Sequence, residues 1–313
     1  MGDRVLVTGG AGFIGGHLVE RLLVDGFAVR VLDDVSTGQM SNLDAVADDI
    51  ELIKADIRDA EQCCRAADGA RWIFHQAAMG SVPRSVKEPV TSTQVNVMGT
   101  LNVLESARAC GAERLIFAAS SSAYGDTETL PKTETMVPRP LSPYAASKVA
   151  CEHYCCAYWY SYSLPTVCLR YFNVFGPRQR PDGPYAAVIP RFFDMLSRDQ
   201  RPTIFGDGQQ TRDFTFVANA LEANMLAAAA PKEAFGRVFN VATGVGISIR
   251  KLHDTVADLL GKELEPILAE PRAGDIRHSR ADISLARSVL RYEPRIDLAE
   301  GLARMAATLA VGA

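Results

Sequence analysis

Short apolar runs separated by longer amphipathic stretches set the rhythm of this chain. RVLVTG (4–9), AVRVLD (28–33), ELIKAD (51–56), WIFHQA (72–77), RLIFAAS (114–120) and TVCLRYF (166–172) are rich in Val, Ile, Leu and Phe. They are nearly continuous in hydrophobicity rather than alternating, as strands covered on both faces must be. Between them, segments such as GGHLVERLLVDG (15–26) and GTLNVLESARACG (99–111) carry helical patterns. Repeated β-α units of this kind predict an α/β fold, a doubly wound parallel sheet with right-handed crossovers.

The pattern loosens after Phe175. GPRQRPDGPY (176–185) is a Pro/Gly/Arg loop, and TIFGDG (203–208) and VFNVATG (238–244) are short and scattered. The sheet domain is therefore expected over 1–175, with a smaller mixed α/β domain over 176–313. The boundary is soft, because the strand VFNVA (238–242) can return to the first sheet. AAAA (227–230) is expected to belong to a helix.

At 313 residues the chain can bury one large or two moderate cores. It is 48% hydrophobic and 22% charged, with mean hydropathy near zero, which is ordinary for a globular protein. A net charge of −4 and a pI near 5.8 argue against bulk binding to nucleic acid or an acidic membrane. A local basic pocket for a small anion is still compatible with that charge. No apolar run approaches the roughly 18 residues needed to span a bilayer. MGDRVLVTGG enters a strand directly, without signal-peptide organisation, and Leu6 stands where a myristoylation site needs Ser or Thr. The seven cysteines include the vicinal pairs Cys63–Cys64 and Cys155–Cys156 but no C-x-x-C and no metal-ligand spacing. They are expected to be reduced and structural, no metal is expected, and the chain reads as cytoplasmic.

VLVTGGAGFIGGH puts Gly9, Gly12 and Gly15 between the first strand and the first helix. A tight turn, a pyrophosphate approaching the backbone and a helix packed closely on the sheet all require glycine there. Free N–H groups at the helix start face the phosphate charge. The second strand ends in Asp33, eighteen residues past Gly15. A carboxylate there accepts the ribose hydroxyls of an adenosine and repels a 2′-phosphate, and VSTGQ just after it offers no arginine, so NAD is favoured over NADP. Asp56, at the end of ELIKAD, is a candidate for the adenine edge and equally for a turn or helix cap.

After RLIFAAS come Ser120, Ser121 and Ser122 in SSSAYGD, at the strand end where ligands sit in an open α/β sheet. About twenty residues on, SPYAASK places Tyr144 and Lys148 four apart on a helix start. Spacing alone does not separate a catalytic pair from a packed ring beside a solvated ammonium. TGGAGFIG, FHQAA, SSSAYG, YAASK and RYFNVFGPRQ, in this order and spacing, resemble the extended short-chain dehydrogenase/reductase family. Within it the chain is similar to NAD-dependent nucleotide-sugar epimerases and dehydratases, over Arg4 to about Leu290.

That resemblance implies a Rossmann-type NAD domain, with Tyr144, Lys148 and Ser120 catalytic. Free tyrosine titrates near 10, so Lys148 and the positive nicotinamide are expected to lower its pKa. Ser120 is expected to be the hydroxyl beside Tyr144 and Ser121 and Ser122 to face the sugar, although adjacent serines leave that assignment open by one position. Cofactor contacts are implied at Gly9, Gly12, Phe13, Ile14, Gly15, Asp33, Asp56, Ile57, Ala77, Asn96, Tyr144, Lys148 and Tyr171. The nucleotide site is implied at Asn173 for the diphosphate, Ala187 and Val188 for the uracil, Arg212 and Arg272 for phosphate, and Asp275 for the ribose. Arginines there suit bidentate anion recognition.

Between Ser120 and Tyr124 the dehydratases of the family carry an Asp-Glu pair and the decarboxylases a glutamate. This chain has Ser121, Ser122 and Ala123, so a 4-epimerase of UDP-hexoses is implied, its NAD regenerated each turnover. A small Ser279 leaves room for an N-acetyl group, and the loop MGSVPRSVKEP (79–89), with Ser81 and Arg84, resembles epimerases of UDP-N-acetylglucosamine and UDP-N-acetylgalactosamine. UDP-glucose and UDP-galactose are further expected substrates. Arg84 equally suits a uronic acid carboxylate or open solvent, so a UDP-hexuronic acid epimerase or another nucleotide-sugar oxidoreductase is the alternative. A non-catalytic NAD sensor is disfavoured, because such a protein typically loses Tyr144 or Lys148. A homodimer is expected through Tyr154, Tyr158 and Trp159 of helix 145–161 beside helix 99–110.

Overall fold

The computed structural model describes residues 2–181, 187–271 and 276–311. The first half opens with β1 (Arg4–Thr8), α1 (Phe13–Val24), β2 (Ala28–Leu32), β3 (Ile50–Ile53), α2 (Ala60–Ala67) and β4 (Trp72–His75). Next come α3 (Val82–Lys87), α4 (Pro89–Thr93), a π-turn at Gln94–Met98, and α5 (Gly99–Ala109). β5 (Arg114–Ser120), α6 (Pro143–Tyr162) and β6 (Thr166–Tyr171) complete it. Beyond lie β7 (Val174–Phe175), α7 (Val188–Ser197), β8 (Thr203–Phe205), β9 (Thr211–Asp213), β10 (Thr215–Phe216) and α8 (Val217–Ala228). The last elements are β11 (Arg237–Val241), β12 (Gly246–Ser248), α9 (Ile249–Leu260), β13 (Ile267–Ala269) and α10 (Leu298–Val311).

Seven strands form one parallel sheet in the order β3-β2-β1-β4-β5-β6-β11. The apolar runs are continuous because each strand feeds two cores. Val5 and Val7 join one cluster with Leu18 of α1 and Ala220 of α8, while Leu6 joins the other with Leu104 of α5 and Cys151 of α6. Burying each such aliphatic side chain contributes about 1.5–3 kcal/mol. Strand order reverses between β1 and β4, and an open α/β sheet takes its ligand at such a switch point.

β11 pairs in parallel with β6, Val238 opposite Cys168 and Val241 opposite Tyr171. The chain thus returns to the sheet after leaving it, and α8 returns with it to pack on α1 and β5. Of AAAA (227–230), α8 includes Ala227 and Ala228. Outside the sheet, the strands form two-stranded ladders β7–β10, β9–β12 and β8–β13.

α6 starts where it does for local reasons. The Ser142 hydroxyl accepts the Ala145 N–H at 3.1 Å, and Pro143 occupies the first turn, where its missing N–H is harmless. That fixes Tyr144 in the first turn and Lys148 one turn on. The expected dimer face needs correction. Tyr158 is buried and donates to Glu105 within the chain at 2.6 Å, and Trp159 packs edge-on against Phe235. Tyr154 stays exposed on α6, with Val90 and Met98 exposed on α4 and the π-turn.

Candidate active site

The glycine loop is built as tightly as its sequence implies. Gly9 has φ +73°, and a Cβ there would lie 2.6 Å from the Ala77 nitrogen; one at Gly15 would lie 2.1 Å from the Gly9 carbonyl oxygen. Gly12 caps α1 with no side-chain hydrogen bond, leaving the first-turn N–H groups to a ligand anion. Ala77 sits against this loop at the end of β4, and its N–H donates to Thr8 Oγ1 at 3.3 Å.

Two adjoining cavities meet at the loop. The smaller, about 180 Å³, is lined by Gly9, Gly12, Asp33, Asp56 and Ile57. The larger, about 620 Å³, has Phe13, Ile14 and Gly15 on one side and Tyr144, Lys148 and Tyr171 on another. Such a volume suits an organic ligand of cofactor size. Ser81, Ala187 and Arg84 also line it, and Arg84 borders the smaller cavity too.

Asp33 is 7% exposed, so its charge must be met locally. It accepts the N–H of Ala11 at 2.9 Å and of Val35 at 2.7 Å, wiring the end of β2 to the glycine loop. Burial still pushes its carboxyl above the usual range. Asp56 is a turn residue that also borders the cavity. It lines the smaller cavity and makes a turn with Arg58, whose N–H, Nε and Nη2 all donate to it. Arg58 itself lines the cavity, an arginine not noticed in the sequence because it follows the third strand rather than the second; it is committed to Asp56, whose carboxyl it holds down.

Tyr144 lies in the first turn of α6, where its N–H donates to Ser85 Oγ at 3.0 Å. Of the three adjacent serines, Ser120 is the one whose hydroxyl lowers the pKa of the Tyr144 phenol, and it accepts from Ser122 Oγ at 2.9 Å. Ser121 and Ser122 sit on the turn that follows β5. Burial pushes the Tyr144 phenol up, the Ser120 hydroxyl pulls it down, and Cys151 adds an upward push. The expected downward pull from Lys148 is not among these influences. Lys148 is 4% exposed, donates to the Ala118 carbonyl at 2.7 Å and stands over the Phe117 ring, and its pKa is lowered chiefly by burial. Tyr171 is held in the cavity wall by Asn224, which donates at 2.7 Å, and Gln76, at 3.2 Å; burial pushes it up to about 12.

Asn96 is placed differently from expectation. It is 2% exposed and lines neither cavity. Its side chain accepts the Met79 N–H at 2.7 Å and donates to Ser147 at 2.9 Å, so it supports the cavity wall from behind. Its carbonyl, within the π-turn, accepts from Cys151 Sγ at 3.1 Å. Two of the residues implied for the nucleotide and sugar lie against β9: Asn173, at φ +34°, donates to the Asp213 carbonyl at 3.1 Å, and the Ser279 N–H donates to the Thr211 carbonyl at 3.1 Å. Arg212 lies within β9, and Val188 begins α7. None of these four lines either cavity. Arg272 and Asp275 lie outside the described residues.

Several groups at the site escaped notice in the sequence. His75 is fully buried under the glycine loop, bonded to Thr8 at 2.7 Å and Thr100 at 2.9 Å; burial, assisted by Lys148, pushes it down to about 3. Arg178, Gln179 and Arg180 line the larger cavity from the loop after β7. Among the described residues no cluster of three His, Cys, Asp or Glu side chains is arranged to hold a metal, and no helix is long and apolar enough to cross a membrane.

A switch-point cavity over a glycine loop, bordered by a Tyr–Lys helix, defines a dinucleotide-dependent redox enzyme. The NAD dependent epimerase/dehydratase family matches residues 5–242, and the chain belongs to that family. It is 44% identical over 305 residues to a UDP-glucose 4-epimerase of Mycolicibacterium smegmatis, covering 96% of each chain. Its structure superposes on a UDP-N-acetylglucosamine 4-epimerase of Methanobrevibacter ruminantium in complex with UDP-N-acetylmuramic acid, with TM-score 0.94, 38% identity and 100% of both chains covered. It is similar also to the UDP-glucose 4-epimerase of Thermus thermophilus in complex with NAD, with TM-score 0.89, 37% identity and coverage of 99% and 100%. The glycine cradle and the paired cavities, with Asp33 lining one and Tyr171 the other, fit the NAD on which the family depends.

Proposed function

We propose that the chain is a 4-epimerase of UDP-hexoses, acting on UDP-N-acetylglucosamine and UDP-N-acetylgalactosamine and also on UDP-glucose and UDP-galactose. The observation that carries this reading is the placing of Tyr144 and Lys148 on the wall of a cavity whose adjoining turn, Ser121–Tyr124, holds no carboxylate. Elimination or decarboxylation needs a further acid or base there; inversion at one carbinol carbon does not. Bound in oxidised form, NAD supplies the hydride acceptor and a positive charge that favours the phenolate. Tyr144 would take the proton of the C4 hydroxyl and give it back to the C4 oxygen once the 4-keto sugar has presented its other face, with the Ser120 hydroxyl lowering the pKa of the phenol. Lys148, anchored on the Ala118 carbonyl, orients the cofactor side of the site.

The diphosphate is assigned to Asn173, Arg212 and Arg272, the uracil to Ala187 and Val188, and the uridine ribose to Asp275. The small Ser279 supports the N-acetylated sugar. Relatives named for glucose and for N-acetylglucosamine are both similar to the chain, which supports a pocket that takes either. Arg84 at the cavity edge supports a second reading, a UDP-hexuronic acid substrate. We also assign a homodimer to the face bearing Tyr154, Val90 and Met98.

The test incubates purified protein, without added NAD, separately with UDP-glucose, UDP-N-acetylglucosamine and UDP-glucuronate. Proton NMR then reports inversion at C4, and the order of rates ranks the sugars. No inversion of any substrate, with stoichiometric consumption of added NAD, overturns the proposal in favour of a net dehydrogenase.

A further inference from the structure

The loop after β7 is tied to the cofactor domain by one side chain. Arg178 sends Nη1 to Glu20 Oε1 at 2.8 Å and Nη2 to Glu20 Oε2 at 2.9 Å, a two-pronged pair between residues far apart in sequence. Nη1 also donates to the Asn42 carbonyl at 3.1 Å, and Nη2 meets His17 Nδ1 at 2.5 Å. His17 and Glu20 lie three apart on α1, on one face of the helix that opens with the glycine loop. His17 Nε2 bonds back to the Pro177 carbonyl at 3.0 Å, so the loop is held at two successive residues. Asn42 is tied to the glycine loop in turn, its side chain donating to the Ala11 carbonyl at 2.8 Å.

Three segments therefore meet on one guanidinium: α1, the segment around Asn42, and the loop at Pro177–Arg178. Arg178, Asn42 and the first residues of α1 all border the larger cavity, so this junction lies at its mouth rather than on a remote surface. Arg178 also has φ +67°, a left-handed conformation that a non-glycine residue adopts at a cost when neighbouring contacts impose it. Its charge is matched by Glu20, which makes it a poor phosphate ligand and a good fastener. A two-pronged, charge-assisted pair is geometrically demanding, and lysine cannot reproduce it.

We propose that the Arg178–Glu20 pair is a positioning clasp that retains NAD by holding the segment 176–181 at the edge of the cofactor cavity. The idea rests on the epimerase reading in one respect: an enzyme that returns its own hydride gains from a cofactor that does not exchange between turnovers. Arg178 touches neither reacting atoms nor, in this role, the cofactor phosphates; it sets how fast NAD leaves.

The test measures NAD exchange with no sugar present, so that it does not depend on which substrate is turned over. Wild type, Arg178→Gln, Arg178→Lys and Glu20→Gln proteins are loaded with radiolabelled NAD and chased with unlabelled NAD. Bound label and the Tm of the NAD-free protein are followed together. Loss of the clasp should speed label release roughly 10- to 100-fold in Arg178→Gln and Glu20→Gln. Arg178→Lys should be only partly restored, with all NAD-free Tm values staying close to wild type. Release at the wild-type rate in both Arg178→Gln and Glu20→Gln overturns the proposal. So does faster release that tracks a fall in NAD-free Tm across all three variants, because a general loosening of the fold then explains it. If Arg178→Gln does not fold, Glu20→Gln, which keeps the shape and one acceptor, decides the question by the same readouts.

Discussion

Glu152→Gln removes one charge from the interior and little else. Arg170 of β6 donates Nε to Glu152 Oε1 at 2.8 Å and Nη2 to Oε2 at 2.7 Å, and the two side chains are 4% and 3% exposed. Arg170 Nη1 has no partner, and the guanidinium stacks 4.7 Å from the centre of the Tyr124 ring. Glutamine keeps the shape and an acceptor but leaves a cation sealed from water. Breaking a buried pair on one side costs roughly 3–5 kcal/mol, and the retained acceptor puts this case near about 3 kcal/mol. With a urea slope of about 3 kcal/mol per molar, the unfolding midpoint should fall by about 1 M. Trp72 in β4 and Trp159 in α6 lie in the affected layers, so tryptophan fluorescence follows the transition. The double variant Glu152→Met/Arg170→Met, which removes both charges and fills the space, should recover most of the loss. A midpoint shift under about 0.3 M for Glu152→Gln, at unchanged slope, refutes the reasoning. So does a double variant as unstable as the single one.

Tyr144→Phe should abolish C4 inversion while NAD co-purifies at wild-type stoichiometry, and Ser120→Ala should lower kcat by about 100-fold, within the range for a lost proton-transfer partner; NMR turnover with absorbance of bound cofactor checks both. His75 is held neutral with its folded pKa near 3, below the 6.5 of a free imidazole, so the unfolded chain binds the extra proton between those values. Its contribution is complete above about pH 6.5 and is lost on acidification towards pH 3, at up to about 1.4 kcal/mol per pH unit. Urea midpoints between pH 7 and pH 4 should therefore fall less steeply in His75→Gln than in wild type, and parallel slopes would contradict it. Met98→Asp with Val90→Asp should turn a dimer into a monomer in light scattering; a wild type that runs as a monomer removes that assignment.

The parallel sheet was readable from the chain because strands buried on both faces leave unbroken apolar runs. The cofactor loop was readable because its glycines have steric reasons to be glycine. Residues whose roles depend on distant partners were harder. GPRQRPDGPY reads as an irregular loop, and nothing local shows that Arg178 reaches Glu20 on the first helix. Asn96, implied at the cofactor by resemblance, supports the wall behind it instead, through bonds to Met79 and Ser147 that no local pattern shows. The ladders after Phe175 are two or three residues per strand, too short for any period to show.

The pairing of β11 with β6 bears on how the protein is made. During synthesis β6 is complete once Tyr171 has emerged, yet its outer edge finds no partner until Arg237–Val241 follows some sixty-five residues later. For that interval every residue of TVCLRY, all buried in the finished fold, borders an open strand edge that can template pairing with another chain. The long-range contact also places sheet completion late, after the intervening helices have formed. Conditions that slow elongation between these two strands should thus favour aggregation of the nascent chain more than they disturb the finished enzyme.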